Sequence, residues 1–570
     1  MNRKLWPATL LLTTLLLACT ASAPSAGPST DASRPTAQAV AQRTLVGALR
    51  LEPKGLALRP PAEEVANVDH RRIFNADIAN VDDKAVPHPY LVEALPEMNT
   101  DSWRVLPDGR MATIYHLRPN LTWHDGMPLT AADFVFGWRV YATTALGLAS
   151  QPPFSAIDEV QAPDARTLVI QWKQLYPDAA HLAGRDRNLP ALPRHLLEDA
   201  FTSQTTDDFV NHRYWTQGFV GLGPYRVTSW EPGASLDAEA FAGHATGRPR
   251  INHLRLVFMS DPNTVLANLL SGEVQLASAT ALRLPQSVSL QEQWQPRQAG
   301  RVFYQVFVWH GLIVQFLPAL VFPRSLGDAR VRRALAHAID RPGINEAIDA
   351  GLATEADFFL PANSQWGPEV QRGAVKHDFD LRQTDQLMRE AGYEKGADGV
   401  YTSPPDGPFA FELRAGTADA NEVAILAKTW EGAGFKVEQR MTPPAQAFDL
   451  ATKFGYPGLA ITTIPATERT VVAPVPGNIP TPENGWRGGS QVSWTDPRYT
   501  ALVGQFTSTL DRDQRGQQMT QLARIFGDEL PAISLLFPPL VWAAAAPLTG
   551  PHEGPPETNV FWNIQDWDLQ

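Results

Sequence analysis

The residues of this chain that look most like a reaction centre are Trp123-His124-Asp125-Gly126, an imidazole beside a carboxylate in a glycine turn, with a second carboxylate, Asp133, further on. A histidine close to carboxylates can do general acid–base work or hold a metal ion. The spacing argues against both. His124 has no second His or Cys at ligand spacing. Asp125 stands before Gly126, where a carboxylate hydrogen-bonds its own turn. Thr130 precedes a helical pattern in which Phe134, Val135, Trp138 and Tyr141 share a face. Thr130 is placed to cap that helix, and Asp133 is placed to reach back to the cap amide and to meet the positive end of the dipole. The segment therefore reads as architecture: His124, Asp125 and Gly126 shape a turn, Thr130 and Asp133 cap a helix, and neither a metal site nor a catalytic residue is expected.

The elements around this segment alternate between strand and helix. Trp103 to Leu117 reads as two strands about Pro107-Asp108-Gly109, with Met111, Thr113, Tyr115 and Leu117 on one face. Asp164 to Trp172 and Ile251 to Met259 read as strands. Gly218, Gly221 and Gly223 could suggest a phosphate loop, but Pro224 and a strand follow rather than a free helix N-terminus, so tight backbone turns are the better account. Asp261, Asp328 and Asp340 each precede a helical pattern, and a further helix covers Asp380 to Ala391, stopped by Gly392. Leu413 to Gly416 reads as a strand, Asn421 to Gly432 as a helix, and Phe435 to Arg440 as a strand. Met519, Leu522, Ala523 and Phe526 mark one helix face, and Leu535 to Trp542 reads as one buried strand. This alternation predicts α/β lobes. At 570 residues, two or more lobes are expected rather than one core.

With 44% apolar and 19% charged residues the chain is of ordinary globular composition, and a net charge of −12 without a dense Lys/Arg stripe argues against a nucleic-acid partner. Arg3 and Lys4 precede the apolar stretch Leu5 to Ala18, which is too short and interrupted for a membrane span and fits a secretory leader over 1–18. It ends at Leu16-Leu17-Ala18-Cys19, where Cys19 is the single cysteine. The stretch resembles the lipobox of bacterial lipoproteins, which implies leader removal and acylation of Cys19. The Ala/Ser/Pro/Thr-rich residues 19–43 then read as a flexible tether.

A second resemblance covers most of the chain, from Leu91 to Trp542, and rests on pieces in a fixed order. They are Glu93-Ala94-Leu95-Pro96; His116 to Asp133; Gly221-Leu222-Gly223-Pro224-Tyr225 with Trp230-Glu231-Pro232-Gly233; Asp261-Pro262-Asn263-Thr264 with Ser271-Gly272-Glu273; Asp328 to Leu335 with Ala338-Ile339-Asp340-Arg341; Glu390-Ala391-Gly392-Tyr393; and Glu529-Leu530-Pro531-Ala532-Ile533. In this order they resemble the family 5 extracellular solute-binding proteins of ABC importers, the oligopeptide- and dipeptide-binding type. The resemblance implies an α/β, two-lobe periplasmic-binding-protein-like (class II) fold with a strand hinge and an interlobe ligand cleft. Lobe one is expected over 44–285 plus 505–570, and lobe two over 286–504.

The function so implied is a lipid-anchored receptor on the outer side of the cytoplasmic membrane. It would act as a monomer without cofactor, binding a peptide or other small solute and delivering it to membrane permease subunits. Candidate ligand contacts are Trp309, His310, Phe454, Tyr456, Trp486 and Trp494 on segments that line the cleft in the family, each set against a role in core packing. Arg330 and Arg332, which match the family helix, are expected to pair locally. The chain departs from the family pattern in three places. Leu222 stands where threonine is usual, and Leu312 to Phe322 is long and apolar. No Asp or Glu follows Phe448-Asp449 until Glu468, so the ammonium anchor of peptide-binding members is not evident. The competing readings are a solute-sensing receptor and an exported hydrolase. For the latter the chain offers no Gly-x-Ser-x-Gly, His-Glu-x-x-His or Cys/His pair.

Overall fold

The computed structural model describes residues 43–60, 70–183, 188–404, 406–447 and 449–570. The expected leader, Cys19 and the tether up to residue 42 lie outside them.

Two sheets organise the described chain. The first has seven strands in the order Gly300–Val306, Pro539–Ala545, Leu276–Ala277, Thr44–Leu49, His253–Phe258, Ser235–Ala240 and Tyr225–Glu231. The second has six, in the order Thr354–Glu355, Ala532–Phe537, Val308–Val314, Leu459–Pro465, Ala410–Gly416 and Lys436–Thr442. The chain passes from the first sheet to the second at Phe307 and returns at Pro538. The two crossings run side by side: Val306 pairs with Pro539 in the first sheet, and His310 with Leu536 in the second. Proline has no amide hydrogen to continue a ladder, so Pro538 is a natural break between the two registers. On the first-lobe side Phe303 stacks on its cross-strand partner Trp542, with ring centroids 3.7 Å apart.

The helices beside the crossings sort between the two sheets. Helix Leu284–Trp294 packs with the first sheet, through Leu290 and Trp294. Helices Pro497–Phe506 and Arg512–Glu529 pack on the second, through Tyr499, Phe506, Met519 and Phe526. Among the described residues the first sheet and its packed elements thus draw on 43–306 and 539–570, and the second on 308–537. Leu535 to Trp542 is likewise not one strand but two, shared between the lobes. Its apolar character persists through the break because both halves are buried.

The first lobe also carries a four-stranded sheet, Trp103–Val105, Met111–His116, Thr167–Trp172 and Ile157–Gln161. Met111, Thr113, Tyr115 and Leu117 all point into the core. Helix starts follow the caps read from sequence: Asp261 accepts from the Thr264 amide, Asp328 from Arg330, Asp340 from Gly343 and Asp380 from Arg382 and Gln383. Among the described residues no helix is long and apolar enough to cross a membrane.

Candidate functional site

His124 is buried and pinned to the glycine turn. Its Nδ1 accepts from the Gly221 amide at 3.2 Å, and its Nε2 donates to the Gly223 carbonyl at 3.0 Å. That pattern requires the neutral ring with its proton on Nε2, and burial lowers its pKa to about 4. A Cβ at Gly223 would lie 2.3 Å from the Phe74 backbone, so glycine is needed there for close approach rather than for phosphate. Asp125 accepts from the Met127 amide at 3.1 Å and from His195 Nε2 at 2.8 Å, while Gly126 holds φ +87°. Asp133 Oδ2 accepts from the Thr130 amide at 2.8 Å to complete a capping box, and its Oδ1 accepts from the Arg194 amide at 3.1 Å. Every polar atom of the segment named here serves a turn, a cap or a splice between chain segments.

The second-lobe candidates do not converge. Trp309, Tyr456 and Trp494 lie in one apolar core. There Trp309 Nε1 donates to Ser534 Oγ at 3.0 Å, and Trp494 meets Tyr499 edge-on. Phe454 is buried beneath Lys453, whose ammonium lies 5.3 Å from its ring, and half-buried Trp486 lies beside Gly455. Adjacent residues of a strand face opposite sides, so His310 leaves the sheet away from Trp309. Its Nδ1 meets Thr463 Oγ1 at 2.7 Å and its Nε2 meets both oxygens of Glu422 at 2.9 Å. Burial alone would lower its pKa, but the hydrogen bond and charge of Glu422, with Asp419 and Asp349 beyond, override that and raise it. Burial raises the carboxyls of Asp349 and Asp419 as well. Arg330 pairs with Asp328. Arg332 is buried and donates to the carbonyls of Leu326, Glu529 and Leu530, so it closes the C-terminal end of helix Arg512–Glu529.

Sequence reasoning missed the groups that meet across the lobes. Asp178 of lobe one lies 3.7 Å from Arg515 of lobe two, and Arg515 holds Glu468 at 2.8 Å. Glu468 also accepts from Trp366 Nε1 at 2.7 Å, and the Arg512 guanidinium lies 3.4 Å from the Trp366 ring centroid. Glu557 of lobe one accepts from the Gln365 amide at 3.3 Å. Glu557 also lines a first-lobe cavity of about 120 Å3, together with Arg72, Asn75, Asn80, Tyr141 and Tyr214. The partners are separated by hundreds of residues, so no local spacing announces them.

Comparisons with known proteins fit this geometry. Residues 93–467 match the model of the bacterial extracellular solute-binding proteins, family 5. The chain is 27% identical over 407 residues to Protein XP55 of Streptomyces lividans, covering 69% of this chain and 68% of that protein. It is 24% identical over 273 residues to putative ABC transporter peptide-binding proteins of Brucella, and it spans about half the length of these relatives, 48%. Among solved structures, NikA from Brucella suis in complex with Fe(III)-EDTA superposes with a TM-score of 0.73 at 16% identity, over 92% of this chain and 100% of that one. The oligopeptide-binding protein of Thermus thermophilus with a bound pentapeptide gives 0.70 at 19% identity, over 93% and 96%. The fold is thus the two-lobe class II arrangement, and the chain belongs to family 5 of the bacterial extracellular solute-binding proteins.

Proposed function

We propose that this protein is the extracytoplasmic receptor of an ABC importer, binding a small solute between its lobes and delivering it to membrane permease subunits. The observation that carries this reading is the pair of adjacent strand crossings at Phe307 and Pro538. They join two separately cored lobes and let one rotate on the other about two short segments. Family membership and the solutes named for the structural neighbours, a peptide and a metal chelate, support a solute reading rather than an enzymatic one.

Glu468 is engaged by Arg515 and Trp366. This supports a solute that is not held by an ammonium contact at that carboxylate, and a peptide is one class among several. The candidates Trp309, Tyr456 and Trp494 serve the second-lobe core in this reading, Phe454 is buried beside Lys453 and His310 is held by Thr463 and Glu422, which leaves half-buried Trp486 to face solute. The anchor is Cys19, acylated after leader removal, and the receptor works as a monomer. Mass spectrometry of solute retained by the native protein tests the function. Added back at about 100 times its dissociation constant, that solute is expected to stabilise the fold by roughly 2.7 kcal/mol. No retained solute, together with no thermal shift from peptides, sugars and chelated metals, refutes the reading. Cys19→Ala is expected to release the protein to the soluble fraction, and continued membrane association refutes the anchor.

A further inference from the structure

Arg72 is a buried cation whose partners are all neutral. It is 8% exposed and stands on the short helix Arg71–Phe74. Its Nε donates to Asn80 Oδ1 at 3.4 Å, its Nη1 to the Asn75 carbonyl at 3.1 Å and its Nη2 to the Trp562 carbonyl at 3.3 Å. The guanidinium also lies 4.4 Å from the Tyr90 ring centroid. Buried Arg332 and Arg515 each have a carboxylate at hand, Glu529 at 3.8 Å and Glu468 at 2.8 Å. Among the described residues Arg72 has no such partner. A guanidinium carries five N–H donors, so the three bonds leave donors to spare.

Arg72 lines the first-lobe cavity, and so does Tyr214 on the turn Arg213–Trp215. Tyr214 is 2% exposed, and its hydroxyl makes no hydrogen bond among the described residues. The carboxylates of the lining, Asp77 and Glu557, have partners of their own: Asp77 accepts from Asn188 at 3.5 Å and Glu557 from the Gln365 amide. Gln365 belongs to the second lobe, so the cavity lies beside the seam. A buried charge is costly without a counterion, and a hydroxyl shut away from water is costly without a partner. One group answers both, a carboxylate, which accepts from a guanidinium and a hydroxyl at once. A cavity of about 150 Å3 takes benzene, so the volume of about 120 Å3 here suits a carboxylate on a short chain, roughly five heavy atoms in all.

We propose that the solute bears a carboxylate, and that this group enters the first-lobe cavity on Arg72 and Tyr214. The proposal rests on the solute-receptor reading and names the chemical class of the solute. An anion there supplies the counter-charge that Arg72 lacks and the acceptor that Tyr214 lacks. The seam beside Glu557 is left to the remainder of the molecule.

The test titrates the full chain with acetate, propionate and butyrate, each beside its own amide at equal ionic strength, by calorimetry and thermal shift. The carboxylates are expected to bind saturably and the amides not. Tyr214→Phe is expected to leave the melting temperature of the solute-free protein unchanged, because the hydroxyl has no partner to lose. The same variant is expected to weaken carboxylate binding by about tenfold or more. Arg72→Gln is expected to abolish the binding, and Tyr214→Phe serves as the readout if Arg72→Gln loses the fold. No saturable binding of any of the three carboxylates, equal binding of the amides, or unchanged carboxylate affinity in Tyr214→Phe overturns the proposal. A solute retained by the native protein that has no carboxylate also overturns it, and leaves the receptor reading standing. The receptor reading fails on a separate result, the absence of any retained solute together with no thermal shift from peptides, sugars and chelated metals.

Discussion

His124 in the first lobe is buried and His310 in the second is largely so, its side chain 12% exposed, yet the two rings take opposite charge states. His124 is surrounded by backbone: one ring nitrogen accepts an amide hydrogen, the other donates to a carbonyl, and the ring stays neutral. His310 is surrounded by carboxylates, with Glu422 in contact and Asp419 and Asp349 near, and the ring is driven toward its charged form. The partner, not the depth, sets the charge state of an imidazole. The motif that looked catalytic is scaffold, while the isolated histidine in an apolar strand carries a buried ion pair.

The largest effect that could break this contrast is on the ion pair. His310→Ala leaves Glu422 buried without its cation and is expected to destabilise the second lobe by about 3–5 kcal/mol. Denaturant unfolding measures it, and a loss below about 1 kcal/mol would mean that the pair is solvated and unimportant.

The pH response separates the two rings next. The folded pKa of His124 is depressed from 6.5 to about 4, so its contribution is whole above 6.5 and is lost as pH falls from there toward 4. That span corresponds to roughly 3 kcal/mol at 1.36 kcal/mol per unit. His310 has the opposite sign. Its folded pKa is raised, so its contribution is whole below 6.5 and is lost as pH rises through the folded value. NMR titration of the two rings is expected to show His124 neutral at pH 5.5 and His310 protonated at pH 6.5; the same midpoint for both would erase the distinction.

His124→Ala comes third, at about 2 kcal/mol for the Gly221 and Gly223 groups left unsatisfied, with solute affinity retained. A large loss of affinity at unchanged stability would return the segment to the solute site. Asp125→Ala is smallest, under about 1 kcal/mol, because its turn bond and its pairing with His195 are partly solvated.

Much of the fold was legible because its determinants are local. Asp261, Asp328, Asp340 and Asp380 each announce a helix within three residues, and the Thr130–Asp133 box could be drawn from spacing alone. The hinge was not legible, because a strand that changes sheets keeps its buried character on both sides. At Phe307 and Pro538 the apolar pattern simply continues. The seam was hidden for another reason. Asp178 and Arg515 look like surface charges until the lobes are brought together, and His310 and Glu422 are 112 residues apart. Aromatic residues on the expected cleft segments were open to two readings, since the second-lobe core needs large side chains as much as a binding surface does, and Trp309, Tyr456 and Trp494 lie in that core.

The place of Pro539–Ala545 in the first sheet also governs the order in which the molecule can assemble. This strand is inserted between Gly300–Val306 and Leu276–Ala277, so the first sheet is split until residues 539–545 have left the ribosome. The second lobe is continuous and can complete its own sheet, from Val308 to Phe537, before that happens. The first lobe must instead wait across the whole of its neighbour for an interior strand, a long loop closure that slows its folding. A chain truncated before Pro539 is therefore a finished second lobe attached to an unclosed first one, with the unpaired edge of Gly300–Val306 left open to aggregation.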